Sequence, residues 1–251
     1  PGPNKPSMSN HQQNYHGCLP ATAEELVQCL GLIPHPEGGY FKETFRSGTI
    51  PMATRGCTDP NVPLRDLVIR QADVNEEKAA VRNCLTSIYW VPTNESPRLL
   101  LSTMRSDHVH YYQGGAPFEY IVYRPTKGTL TRTILGPDIR NGQVLQLAVE
   151  GGCYKCGRLL SLPMVENDGK VDESTAVTSS TLPYAIIAEA VGPGFDVQDF
   201  EWVTSAQLVA TGRVDVVTTL QEYVYQATVE IHNVAEHFDQ YYNQQNGEPK
   251  Q

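Results

Sequence analysis

One pair of residues whose type and spacing could do chemistry is His108-Val-His110. On a strand, side chains two apart share a face, so both imidazoles point the same way, with Tyr112 beside them. Paired imidazoles suit zinc, copper or iron. The competing and favoured reading makes them structural or interface histidines. A second group lies on Tyr40-Phe-Lys-Glu-Thr-Phe-Arg46, where Tyr40, Lys42, Thr44 and Arg46 share one strand face and Phe41, Glu43 and Phe45 the other. Arg46 with Lys155 would clamp a small anionic ligand, because a guanidinium fork matches carboxylates and phosphates. The structural alternative pairs Arg46 with a neighbouring carboxylate. Tyr40 or Tyr89 would then donate a proton and Glu43 or Asp107 would accept one, where burial shifts their pKa values. Ser87 and Glu119 complete the ligand-binding set, and Glu189 and Asp199 are further carboxylates of the same kind.

Other motifs carry less. Cys153-x-x-Cys156 is the one such spacing among six cysteines, and no second pair or zinc-finger histidines accompany it. Gly151-Gly152 precede it on a strand-like segment, whereas redox use wants the pair opening a helix. Both read as ordinary barrel cysteines, and the set does not suggest a disulfide scaffold. Gly192-Pro-Gly194 lacks phosphate-loop spacing and reads as a tight turn.

The 251 residues are 40% hydrophobic and 19% charged, with a net charge of −9. That length fits one β-barrel with extensions. Lys and Arg form no basic stripe, which weighs against nucleic acid as a partner. No window offers the ~20 apolar residues of a membrane helix. Residues 1–17 are polar and lack the apolar core of a signal peptide. The first seven read as a foreign leader ahead of a native start at Met8, and the chain reads as cytoplasmic.

Positioning these residues falls to short strands. A helix comes first, with Thr22 and Glu25 in a capping-box pattern, Leu26, Val27 and Leu30 as its stripe, and Gly31 as its stop. Residues 48–83 read as a partly mobile insertion with a short helix near Asn75–Val81. Strand signals then crowd together: 85–91, 98–104, 108–113, 118–123, 130–135, 144–149 and 153–160, broken by Gly and Pro. Residues 164–182 form a second insertion, and 184–191 and 200–203 complete the sheet. Short strands between such turns predict a sandwich or barrel. From Thr218, Leu220, Val224, Ala227, Ile231, Val234, Phe238 and Tyr241 follow four–three spacing, which predicts an amphipathic helix. It lies either on its own barrel or against a partner subunit. The expected division is a tail over 1–17, a barrel over 18–217 and a helical extension over 218–251.

Several phrases resemble one family in order. Gly31-Leu-Ile-Pro-His-Pro-Glu-Gly-Gly-Tyr-Phe-Lys-Glu-Thr-Phe-Arg-Ser47 looks like the opening signature of the cupin-5 family. Thr86-Ser-Ile-Tyr89, His110-Tyr-Tyr-Gln-Gly114, Leu135-Gly-Pro-Asp138, Val149-Glu-Gly-Gly152 and Val191–Glu201 follow it. The resemblance covers residues 22 to about 208 and implies an all-β, double-stranded β-helix (cupin, jelly-roll) barrel, paired as a homodimer. It implies little about reaction. The general cupin metal motifs, counted back from Gly114, put Leu101, Thr103 and Asp107 in three ligand slots, with Lys155 in the fourth. Leu cannot ligate and an ammonium repels a cation, so the resemblance implies no metal held in the usual cupin way, and no cofactor is expected. Asp107 in that slot would point inward, which sends His108 and His110 outward. Metal-free cupin epimerases use a His–Asp pair with a Tyr, and no such pair can be placed from the sequence.

Three functions follow. The first is a barrel that binds a small polar or anionic metabolite and isomerises or epimerises it without metal. The second is a non-catalytic small-molecule binding or sensor protein. The third is a metal-dependent enzyme using His108 and His110. The sequence leaves turnover open.

Overall fold

The computed structural model describes residues 19–52, 61–67, 80–160 and 182–226. Helix α1 (Ala23–Leu30) forms where the capping signal predicts, with the Glu25 amide donating to Thr22 Oγ1 and Gly31 closing it at a φ of 62°. The strands are β1 (Ile33–Pro34), β2 (Tyr40–Arg46), β3 (Thr49–Met52), β4 (Ala80–Asn83), β5 (Thr86–Val91), β6 (Arg98–Met104) and β7 (Asp107–Gly115). They continue with β8 (Phe118–Arg124), β9 (Thr129–Leu135), β10 (Gln146–Val149), β11 (Tyr154–Leu159), β12 (Ala185–Gly192) and β13 (Phe200–Trp202). Helices α2 (Ser205–Ala210) and α3 (Val214–Leu220) follow.

A six-stranded sheet, ordered β1-β2-β5-β12-β7-β10, faces a five-stranded sheet, ordered β13-β6-β11-β8-β9. Every pairing within them is antiparallel. Between the sheets, Phe41, Trp90, Phe118, Tyr120, Leu135 and Ile187 form one core cluster. Burying such side chains on both inner faces is the driving force for closing the two layers. A second cluster lies outside the five-stranded sheet, where Leu101, Ile121 and Tyr123 meet Leu208, Val216 and Leu220 of α2 and α3. The fold is the all-β barrel that the sequence predicts. Among the described residues no helix is long and apolar enough to cross a membrane.

Four expectations change. Phe45 is 52% exposed. The register between β2 and β5 shifts between Glu43 and Phe45, and that irregularity breaks the strict alternation read from the sequence. Part of the 48–83 segment is firmly packed: β3 pairs with β4, and Leu64 is fully buried with its amide donating to Arg105 O at 2.7 Å. Val81 lies in strand β4, so a helix does not reach it, and the rest of the helix expected near Asn75 lies outside the described residues. The C-terminal helix expected from Thr218 is already running at Val214 and ends at Leu220. A 3-10 turn follows at Gln221–Tyr223, and Val224 is extended. Leu220 and Tyr223 are buried against this chain's own barrel, and the remainder of the stripe, from Ala227, lies outside the described residues, as does most of the 164–182 segment.

Candidate functional site

The site is assembled at the barrel interior by β6, β7, β11, β12 and the loop before β2. On β7, His108 and His110 point into the barrel, 5% and 0% exposed, against the expectation that they face outward. Asp107, on the opposite face, accepts a hydrogen bond from the Gly151 amide at 2.8 Å at the strand's end. A one-residue change of register moves every side chain to the other face, and the motif count from Gly114 was off by that parity. The same slip explains Leu101, which packs outside against α2 and α3. Lys155 does point inward, as expected, and is 7% exposed.

Cross-strand register brings the partners together. Glu189 on β12 stands directly opposite His110 on β7, and Lys155 on β11 opposite Ser102 on β6. The Glu189 carboxylate then lies 2.5 Å from His108 Nδ1 through Oε1 and 3.4 Å from His110 Nδ1 through Oε2. Lys155 Nζ sits 3.2 Å from His108 Nδ1, 3.5 Å from His110 Nε2 and 3.5 Å from Glu189 Oε1. The Tyr120 hydroxyl is 3.2 Å from His110 Nδ1. Glu37 enters from the Pro36-Glu-Gly-Gly39 loop, where it is hydrogen-bonded to the Ser102 hydroxyl. That loop is pinned by Leu100 N–H donating to Glu37 O at 2.8 Å and by Trp90 Nε1 donating to Gly38 O at 2.8 Å. Gly38, at a φ of 109°, runs so close to β6 that a Cβ would meet Arg98 O at 2.1 Å. Only glycine fits there.

Proton positions follow from donor chemistry. At 2.5 Å a proton must lie between His108 Nδ1 and the Glu189 carboxylate, so Nδ1–H donates. The 3.2 Å approach of Lys155 to that same nitrogen is then a close contact, since one nitrogen cannot both donate and accept. His108 Nε2 is left bare, and it is buried with no hydrogen-bond partner. An ammonium only donates, so His110 Nε2 accepts from Lys155 and carries its own proton on Nδ1.

The charges divide sharply. Burial, then the Lys155 ammonium, push the His108 pKa down. Burial carries His110 well below its ordinary value. Burial would raise Glu189, but the Lys155 ammonium and the two imidazoles hold it well below the usual carboxylate range. Burial pushes Glu37 up to about 7 in spite of Lys155. Tyr120 is driven well above its ordinary value by burial. Burial thus favours neutral imidazoles, Glu189 is held as a carboxylate, and Glu37 is poised to carry a proton near neutral pH.

A cavity of about 10 Å³ is lined by Glu37, Ser102, His108 and Lys155, with Met104, Val149, Glu150, Cys153 and Phe200 around it. It has room for roughly one water-sized group.

Most other sequence-picked residues lie elsewhere. Tyr89 is 37% exposed and shares the outer face of the six-stranded sheet with Ser87. Glu119 is on the outer face of the five-stranded sheet, paired with Arg132 at 3.3 Å and Arg158 at 3.0 Å. Arg46 binds Glu43 in a fork at 2.8 and 2.6 Å, and also reaches Asn83 and Phe195 O. That is the structural ion pair the sequence offered as the alternative. Tyr40 packs at the α1 end of the barrel with Leu26, Val91 and Tyr184. Cys153 and Cys156 are buried, and burial pushes the Cys156 thiol well up, as befits an inert core thiol. Asp199 is taken up in a buried pair with Arg82 at 2.5 Å.

Ser102, Tyr120 and Glu37 were not singled out by the sequence. Glu37 had a signal: a carboxylate inside a Pro-Glu-Gly-Gly loop whose glycines force close backbone approach. Glu189, a lone charge in the apolar strand Ala-Ile-Ile-Ala-Glu-Ala-Val, was among the sequence candidates.

The donor set His108, His110 and Glu189 is of a type that holds metals, with ligand atoms within 4.8 Å of one another. The Lys155 ammonium stands among those same atoms at 3.2–3.5 Å. A divalent cation does not fit beside it.

Residues 24–203 match the family described as Cupin superfamily (DUF985), and the chain belongs to that family. It is 31% identical over 180 residues to an uncharacterised protein of Saccharomyces cerevisiae, covering 72% of this chain and 74% of the yeast protein. Among solved structures it is similar to a hypothetical protein from Leishmania major, at a TM-score of 0.59 and 27% identity over 82% of this chain and 99% of that one. A protein from Shewanella oneidensis shares the fold at a TM-score of 0.54 and 18% identity, over 81% and 98% of the two chains.

Proposed function

We propose that this barrel binds a small polar metabolite carrying a carbonyl group and moves a proton at the adjacent carbon without a metal. The observation that carries this reading is the bare, buried Nε2 of His108 beside the cavity, backed by Glu189 on Nδ1. A neutral imidazole oriented by a carboxylate is a general base. Lys155 supplies a fixed positive charge for the oxyanion that forms when the C–H proton leaves, and such preorganised charge is a large catalytic term. Glu37, pushed up to about 7, holds a proton available for return on the same cavity. On this reading His108–Glu189 does the work of the His–Asp pair that the resemblance gives to metal-free cupin epimerases, with glutamate in place of aspartate. The space of about 10 Å³ admits only the reacting end of a ligand.

The test begins with a thermal-shift screen of sugar nucleotides, keto acids and hydroxy acids, since a ligand stabilises in proportion to occupancy. A hit is then followed by NMR in deuterated water. Exchange of the proton next to the carbonyl is expected, slowed about 10²–10⁴-fold in His108→Gln with binding retained. Binding without exchange in the wild type would leave the chain a binding or sensor protein.

We also propose that the chain pairs with a second copy. Tyr89 and Tyr111, each 37% exposed, flank Ala188 in one cross-strand row on the outer sheet face. Exposed aromatics grouped on a sheet face mark contact surfaces. Light scattering at micromolar concentration is expected to give twice the chain mass, and Tyr89→Glu with Tyr111→Glu to give one. A wild-type monomer contradicts it.

A further inference from the structure

We propose that Lys155 is a built-in replacement for a metal ion, and that its ammonium alone keeps the His108–His110–Glu189 triad from being a divalent transition-metal site. Three observations converge. The three side chains offer two nitrogens and a carboxylate oxygen within 4.8 Å of one another, the set that borderline-soft divalent metals take. Lys155 Nζ lies 3.2, 3.5 and 3.5 Å from an atom of each, so it holds the position from which a cation would address all three. The lysine is itself 7% exposed and held on a central strand, between β6 and β8, so it cannot swing into water without opening the barrel.

The electrostatics are those of an exchange of cations. A metal would neutralise Glu189, hold both imidazoles in the unprotonated form on the ligating side, and present positive charge to a ligand oxygen. The ammonium neutralises Glu189, faces an unprotonated Nε2 on His110 and presents positive charge to the cavity, with one charge and no open coordination position. It donates to His110 Nε2 and to Glu189 Oε1, where a metal would accept electron pairs from the same atoms. A unit charge a few ångström from a divalent ion lowers its affinity by more than about a hundredfold even at high effective dielectric. The inference holds whether or not the site turns a substrate over, so it stands or falls apart from the isomerase reading.

The test is uptake of Co(II), read by visible absorption and by elemental analysis after dialysis. Wild-type protein is expected to retain none. Lys155→Met, which keeps the length of the side chain and removes the charge, is expected to retain one Co(II) per chain, at least about a hundredfold tighter than wild type. Adding His110→Ala to that variant should abolish retention. Lys155→Arg, which keeps the charge, should retain none. If Lys155→Met does not fold without metal, Lys155→Gln is the second variant, and for either one Co(II) should restore a cooperative unfolding transition. A wild-type chain that loads one Co(II) with the same spectrum overturns the proposal. So does a folded Lys155→Met or Lys155→Gln chain that takes up none, or a failure of Co(II) to restore folding to both.

Discussion

Replacing Glu189 by alanine is expected to lower the stability of the folded chain by about 3–5 kcal/mol at pH 7, the usual cost of breaking a buried ion pair from one side. Glu189 is 9% exposed and is the carboxylate that faces the Lys155 ammonium. Without it, a buried ammonium and the His108 Nδ1–H are left uncompensated, and each must be neutralised or hydrated at the barrel's interior. Urea unfolding at constant m-value measures the effect. The double variant Glu189→Leu with Lys155→Met should recover most of the loss, because apolar residues of similar volume replace buried ion pairs at little or no cost. A loss below about 1 kcal/mol would mean that water reaches the pair freely.

Glu37→Gln should change how stability depends on pH. Burial pushes the Glu37 carboxyl up to about 7 in the folded chain, against about 4.5 for an exposed glutamate. Between those values the folded state keeps a proton that the unfolded state has released. Stability from this group is therefore full below about pH 4.5, declines as pH rises, and is gone above about 7. The swing is about 3 kcal/mol for a shift of that size. Glutamine does not titrate, so the variant's stability relative to wild type should rise by about 3 kcal/mol between pH 4.5 and 8. His108 and His110 act in the opposite direction, since burial keeps them neutral and stability falls as pH drops below about 6.5. They are common to both chains and cancel in the comparison. A constant difference across pH would show that Glu37 is not buried as described. The same two shifts set an activity profile: His108 must be neutral and Glu37 protonated, so turnover should fall below the lowered His108 pKa and again above about 7.

The strands were legible because their signal is local. Val, Ile and aromatic runs bounded by Gly and Pro place the strands of the two large sheets, apart from β1, within about two residues, while β3 and β4 lie in the segment read as an insertion, and the Thr22–Gly31 caps place α1. Facing was legible only where alternation ran unbroken. The β2 irregularity turned Phe45 out, and a one-residue parity in β7 decided whether His108 or Asp107 faced in. The site itself depends on pairings between distant segments. Glu189 and His108 are 81 residues apart, and Ser102 and Glu37 are 65 apart. No periodicity within one segment carries that information, so Lys155 was recognised as a cation without its partners. The C-terminal stripe begins as its spacing predicts, with Leu220 in a helix, but that helix ends there and a 3-10 turn follows at Gln221–Tyr223.

The chemistry rests on a neutral His108 whose proton sits toward Glu189 and whose Nε2 is bare. Nitrogen-15 NMR of histidine-labelled protein at pH 7 tests it directly, since protonated and bare ring nitrogens resonate far apart. The predicted result is one protonated and one bare nitrogen on His108, with the proton on Nδ1, unchanged by added chelator. A doubly protonated His108 at that pH, or a proton on Nε2 with Nδ1 bare, would contradict it.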